Sequence, residues 1–208
     1  MLCLKRPTDG AWAAQAVRDV DAVLVDHAHC EIKAASNALS LAARHPSDSK
    51  LVLALTDLAR EEIDHFQTVV SMLASRGVAL GPPGVDAYAA ELRRAVRRLP
   101  CAPQATPLVD RLLVGAVIEA RSCERFKLLA EATAGNESHA RPHALWSALL
   151  AAEARHYRTF MELAVAASRA DRGWVLARLD RLAELEGVIV GELTHAETGL
   201  ASRAAIHG

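Results

Sequence analysis

Two segments of this chain, EEIDHF at 61–66 and EARHYRTF at 153–160, each set a carboxylate three residues ahead of an imidazole. An α-helix advances about 100° per residue, so positions three, four and seven apart share a face. Glu62 shares its face with Leu55, Leu58, Ala59, His65, Phe66 and Val69. Glu153 shares its face with Trp146, Leu149, Leu150, His156, Tyr157 and Phe160. In both helices the charged pair lies on the stripe that ought to be buried.

Two further glutamates follow the same rule. Around Glu31 lie Leu24, His27, Ala28, Ala34, Ala35 and Ala38; around Glu119 lie Leu112, Gly115, Ala116, Ser122, Cys123 and Phe126. Burying a lone carboxylate costs several kcal/mol, or else the group protonates. Four such glutamates with two histidines call for a compensating cation. The set Glu31, Glu62, His65, Glu119, Glu153 and His156 reads as one Glu plus one Glu-x-x-His motif, twice over. That is the pattern of carboxylate-bridged dinuclear sites in ferritin-like bundles. Hard oxygen donors mixed with imidazole suit iron or manganese. The four cysteines, Cys3, Cys30, Cys101 and Cys123, lack zinc-type spacing.

Other charged residues fit blander roles. A third Glu-x-x-His pair, Glu192 and His195, has no place in the two-hairpin pattern and reads as a core contact or helix-end interaction. Glu124 faces Arg121, Lys127 and Glu131, which suggests a surface ion pair. His27, one turn before Glu31, is a candidate partner of that ligand or a hydrogen-bonded core residue. His29, His45, His139 and His143 read as exposed or loop residues.

Apolar residues make up 51% of the 208 and aromatic ones 4%, and no alternating strand pattern appears. The chain reads as all-α. One helix is expected from about Trp12 or Val17 to Arg44, ended by Pro46, and a second over about 48–76, ended by Gly77. A shorter helix, about 85–99, carries Arg93, Arg94, Arg97 and Arg98. After the breaker segment PCAPQATP come helices over about 107–134, 138–170 and 171–198. This predicts a single domain over 1–208: a four-helix bundle, its metal-site core at about 17–170, with additional short and C-terminal helices. The N-terminus lacks the apolar core of a signal peptide, no stretch has membrane-spanning length, and the expected compartment is the cytoplasm.

DHAHCEIKAASNALSL (26–41), LAREEIDHF (58–66), VGAVIEARSCERF (114–126) and AAEARHYRTF (151–160) together resemble the bacterial tRNA 2-methylthio-N6-isopentenyladenosine hydroxylases, ferritin-like di-iron monooxygenases. The resemblance extends over about residues 10 to 165. It implies that the six residues above hold two iron ions and that the di-iron centre itself does the chemistry; no separate catalytic side chain is assigned. It further implies O2 as co-substrate, an external reductase as electron donor, and hydroxylation of the prenyl side chain of the modified adenosine beside the anticodon. Cys30, Ala34, Phe66, Cys123 and Phe126 are candidate pocket walls. Arg121 and Arg155 neighbour ligands in sequence and suit either support of those ligands or surface salt bridges. The four clustered arginines become candidate tRNA phosphate contacts, although the overall charge of −1 announces no polyanion by itself. The C-terminal GELTHAETGLASRAAIHG departs from the family pattern. The expected assembly is a monomer or small homo-oligomer. The competing readings are an iron-storage protein of the ferritin class and another di-iron or di-manganese oxidase with a small-molecule substrate.

Overall fold

A computed structural model of the chain describes residues 2–197, with side chains to residue 193. Among these residues every regular element is helical. The α-helices are α1 Gly10–Ala16, α2 Val20–Arg44, α3 Ser49–Ser75, α4 Ala87–Ala95, α5 Pro107–Thr133, α6 Ala140–Ser168 and α7 Arg172–Glu197. None is long and apolar enough to cross a membrane.

Local chemistry sets the boundaries. The side chains of Asp19, Asp48, Asp86 and Thr106 accept hydrogen bonds from the backbone N–H of Ala22, Leu51, Ala89 and Val109. Each satisfies one of the donors that a helix start leaves unpaired. Pro107 occupies the first turn of α5, where its missing N–H costs nothing. After α3 and α5 the chain turns at Gly77 and Gly135, with φ of +71° and +72°, a region that side chains with a Cβ seldom adopt. The expected first helix is interrupted: a tight 3₁₀ turn at Val17–Asp19 precedes α2, because Asp19 leaves helical geometry to cap the next start. The helix α4 likewise tightens into a 3₁₀ turn at Val96–Arg98 ahead of Pro100.

The chain divides into two compact units. One, Arg18–Val85, is the hairpin of α2 and α3, which pack along each other. Its buried residues include Leu24, Ala28, Ala35, Ala38 and Leu41 from α2 and Leu51, Leu55, Leu58, Ala59 and Val69 from α3. Both sets follow the helical spacing read from the sequence.

The other unit comprises residues to Val17 and from Asp86 onward. Its centre is the hairpin of α5 and α6, whose Phe126 and Trp146 rings stack at 5.8 Å and are fully buried. Here α4 and α7 contact each other and α5, and α1 also contacts α5. The back of α5, which would face water in a bare hairpin, is therefore covered. Gly115 on α5 lets α6 come close: a Cβ there would stand 2.9 Å from the ring of Phe160.

Gly115→Ala should therefore destabilise the protein. Crowding the Phe160 ring costs about 1–3 kcal/mol, against a helix-propensity gain of at most about 1 kcal/mol. A lowered urea midpoint at unchanged slope would show it; a raised midpoint would mean that the ring yields freely.

Candidate metal centre

In the α2–α3 hairpin, Glu31 and Glu62 are 2% and 1% exposed. One donor atom from each of Glu31, Glu62 and His65 lies within 4.8 Å of the others. His65 Nδ1 stands 3.5 Å from Glu62 Oε2 and 3.7 Å from Glu31 Oε1. His27 Nε2 lies 2.7 Å from Glu31 Oε1, at hydrogen-bonding distance one turn earlier on α2. Burial works to lower the pKa of His65, but hydrogen bonding and charge from Glu31 and Glu62 outweigh it and lift the group to about 10. The local field thus favours a cation at this point.

The α5–α6 hairpin repeats the arrangement. Glu119, Glu153 and His156 are all buried, and one donor atom from each lies within 4.8 Å of the others. His156 Nδ1 is 3.5 Å from Glu153 Oε2, matching the separation in the first Glu-x-x-His pair. Each hairpin therefore gathers two carboxylates and one imidazole on its buried side. Such a donor set fits a hard divalent or trivalent ion such as iron or manganese, because carboxylate charge is neutralised and neutral imidazole supplies a nitrogen donor.

The remaining sequence candidates divide. Cys30 and Cys123 are buried, with Sγ atoms 3.9 Å from Asp26 Oδ2 and from the Leu150 carbonyl. Phe126 is committed to its stack on Trp146. Arg155 is exposed and donates to the Ala151 carbonyl of its own helix. Arg93, Arg94, Arg97 and Arg98 are all exposed, while Tyr88, Ala89, Leu92 and Ala95 bury the other face of α4. Glu192 is exposed; the side chain of His195 and residues 198–208 lie outside the described residues.

Four residues depart from the expectation. Arg121 is fully buried and pairs with neither the solvent side nor a ligand: its Nε donates to Glu186 Oε1 at 2.8 Å and its Nη2 to Glu186 Oε2 at 2.9 Å. Glu124 is no surface group either. It accepts from Arg121 and from the Thr8 hydroxyl at 2.7 Å, inside the layer that α1, α7 and the N-terminal segment build over α5. His29 is buried, although it lies off the stripe that carries Glu31. His143 is a helical residue of α6, its Nδ1 3.0 Å from the Ala130 carbonyl and 3.4 Å from the Thr133 hydroxyl.

The sequence reading also missed a network. Tyr88, at 0% exposure, donates its hydroxyl to Glu186 Oε1 at 2.9 Å, and buried Arg125 lies over the Trp12 ring. Burial raises the Glu186 carboxyl above its ordinary range against the opposing pull of Arg121. Arg121, Glu124 and Arg125 share one face of α5 by helical spacing, but that spacing reads equally well as a solvated charged face.

Comparison with known proteins was consistent with these elements. The family model described as tRNA-(MS[2]IO[6]A)-hydroxylase (MiaE) matches residues 1–198, which covers the first part of the C-terminal segment expected to depart from the family. The chain is 44% identical to a Pseudomonas putida protein named tRNA 2-(methylsulfanyl)-N(6)-isopentenyladenosine(37) hydroxylase, over 76% of this chain and 73% of that one. A Salmonella typhimurium protein of the same name is 28% identical, over 88% of this chain and 82% of its own. A solved structure titled "Protein 43 with aldehyde deformylating oxygenase activity from Synechococcus" aligns with a TM-score of 0.81 and 35% identity, covering 100% of this chain and 96% of that chain. The fold class is all-α and ferritin-like, with the paired helices α2–α3 and α5–α6 carrying the buried glutamates.

The burial pattern predicts an order of cysteine reactivity. Burial first, then the nearby Glu153 charge, push the Cys123 thiol up to about 12, and burial lifts Cys3 to about 11 against a hydrogen bond with Tyr157. Cys101 is exposed. With a disulfide reagent at pH 8, Cys101 should react first, and Cys123 at least about 100-fold more slowly, its rate climbing about tenfold per pH unit as thiolate forms. Equal rates for Cys101 and Cys123 would contradict the buried placement.

Proposed function

This chain belongs to the tRNA-(MS[2]IO[6]A)-hydroxylase (MiaE) family, and from that premise we propose that Glu31, Glu62, His65, Glu119, Glu153 and His156 jointly hold two iron ions. It is a tRNA hydroxylase; the substrate we assign is the prenylated adenosine beside the anticodon. The observation that carries the metal assignment is the doubled donor set: two buried carboxylates and an imidazole within 4.8 Å in each hairpin. We take the whole chain as one working domain in the cytoplasm, with a separate reductase as partner.

Iron bound there would supply reductive activation of O2, so that one oxygen atom enters a prenyl C–H bond and the other leaves as water with two electrons from the reductase and two protons. The protein's own part is to hold, orient and keep dry. His27 fixes the rotamer of Glu31 through its 2.7 Å contact. The Phe126–Trp146 stack and the buried thiol of Cys123 give the α5–α6 side apolar surroundings that exclude water.

Holding the RNA falls to α4. Arg94 pairs with Glu91 on the same helix, whereas Arg93, Arg97 and Arg98 form no ion pair among the described residues. Exposed, uncompensated guanidinium groups on a helix whose other face is buried suit phosphate contacts, which position a nucleic acid without reading its bases. A second reading, a di-iron oxygenase acting on a small molecule, draws on the likeness to the Synechococcus protein.

Nucleoside mass spectrometry separates the two. Iron-loaded protein given O2, a chemical reductant and tRNA bearing the prenylated adenosine should add one oxygen atom to that nucleoside, and Glu119→Ala should abolish the gain. No gain with two irons bound would favour the small-molecule reading. For the RNA face, Arg94→Glu with Arg97→Glu should weaken tRNA binding and lower the slope of log affinity against log salt by about two. An unchanged slope would remove α4 from the interface.

A further inference from the structure

The helix α5 is loaded on both sides. Glu119, Ser122, Cys123 and Phe126 share its front, whereas Arg121 follows Glu119 by two positions, about 200° around the axis. On that back face Arg121, Glu124 and Arg125 are covered by the N-terminal segment, α1, α4 and α7. Arg121 makes two bonds to Glu186 of α7, at 2.8 and 2.9 Å. It also donates to the Thr8 hydroxyl at 3.0 Å and to the Arg6 carbonyl at 2.9 Å, and pairs with Glu124. Tyr88, the second residue of α4, donates to the same Glu186 oxygen that Arg121 Nε uses.

A buried ion pair of this kind is poor evidence of added stability, since apolar side chains of similar volume often serve as well. It does fix geometry, because a bidentate guanidinium–carboxylate pair tolerates little rotation. Glu186 thereby ties two helices to one point: α5, which carries Glu119, and α4, which carries Arg93 and Arg94 and runs into the 3₁₀ turn that carries Arg97 and Arg98.

We propose that Tyr88, Glu186 and Arg121 are positioning residues that fix the arginine-bearing helix α4 on the ligand-bearing helix α5. An RNA held by its phosphates on α4 then presents its modified nucleoside at a set reach from the metal centre. The inference rests on the reading of α4 as the RNA face. It assigns the network a role in aim, separate from binding the RNA and from holding iron.

The test uses Tyr88→Phe, which removes one hydroxyl from a fully buried ring, with Glu186→Gln as a second variant of nearly unchanged shape. The tRNA affinity of the metal-free protein and the iron content should stay within about twofold of the parent. The kcat should fall about 10- to 100-fold at little-changed KM. The number of nucleosides hydroxylated per O2 consumed should fall as well, a ratio that loss of folded protein does not alter. Unchanged coupling and kcat in both variants would overturn the inference, as would a kcat loss that only tracks lost iron or lost folded protein. Failure of the parent protein to bind tRNA through α4 would instead sink the RNA-face reading and this inference with it. Normal binding and coupling in both variants would sink this inference alone.

Discussion

A carboxylate taken out of water costs several kcal/mol unless cations or hydrogen bonds compensate it. This chain buries Glu31, Glu62, Glu119 and Glu153 on the apolar stripes of α2, α3, α5 and α6. Everything near them follows from that constraint. His65 and His156 stand one turn beyond two of the carboxylates, and His27 braces a third. The α2–α3 and α5–α6 hairpins each gather three donors, so the same local solution occurs twice. Two iron ions would neutralise the charge that the helices otherwise confine.

The stripes of buried glutamates were legible because helical period alone decides which residues share a face. The ends of α2 and α3 were equally open to reading, since Pro46 and Gly77 act locally, whereas the caps at Asp19, Asp86 and Thr106 were not picked out. The back of α5 was not. Arg121, Glu124 and Arg125 look like a solvated face until α1, α4, α7 and the N-terminal segment cover them, and no local spacing announces that layer. Their acidic partner Glu186 lies 65 residues beyond Arg121. His29 failed for the same reason: burial off the main stripe depends on packing that one helix does not encode.

That added layer changes what the fold can do. A bare hairpin pair would offer the buried carboxylates and histidines but no fixed basic surface. Here α4 buries Tyr88, Ala89, Leu92 and Ala95, and with the 3₁₀ turn after it turns four arginines outward. A helix anchored in this way would lose less entropy on binding phosphates, if it is the RNA face proposed above. The charge of the whole chain, −1, conceals this face because acidic residues elsewhere balance it.

The central claim is that six residues from two hairpins form one dinuclear site. Iron titration of the metal-free protein, followed by Mössbauer and EPR spectra after oxidation, addresses it most directly. The account predicts two irons per chain, magnetically coupled and silent in conventional EPR, with the second ion lost in Glu62→Ala or Glu153→Ala. Two uncoupled ferric signals, or a stoichiometry of one that neither substitution changes, would contradict it.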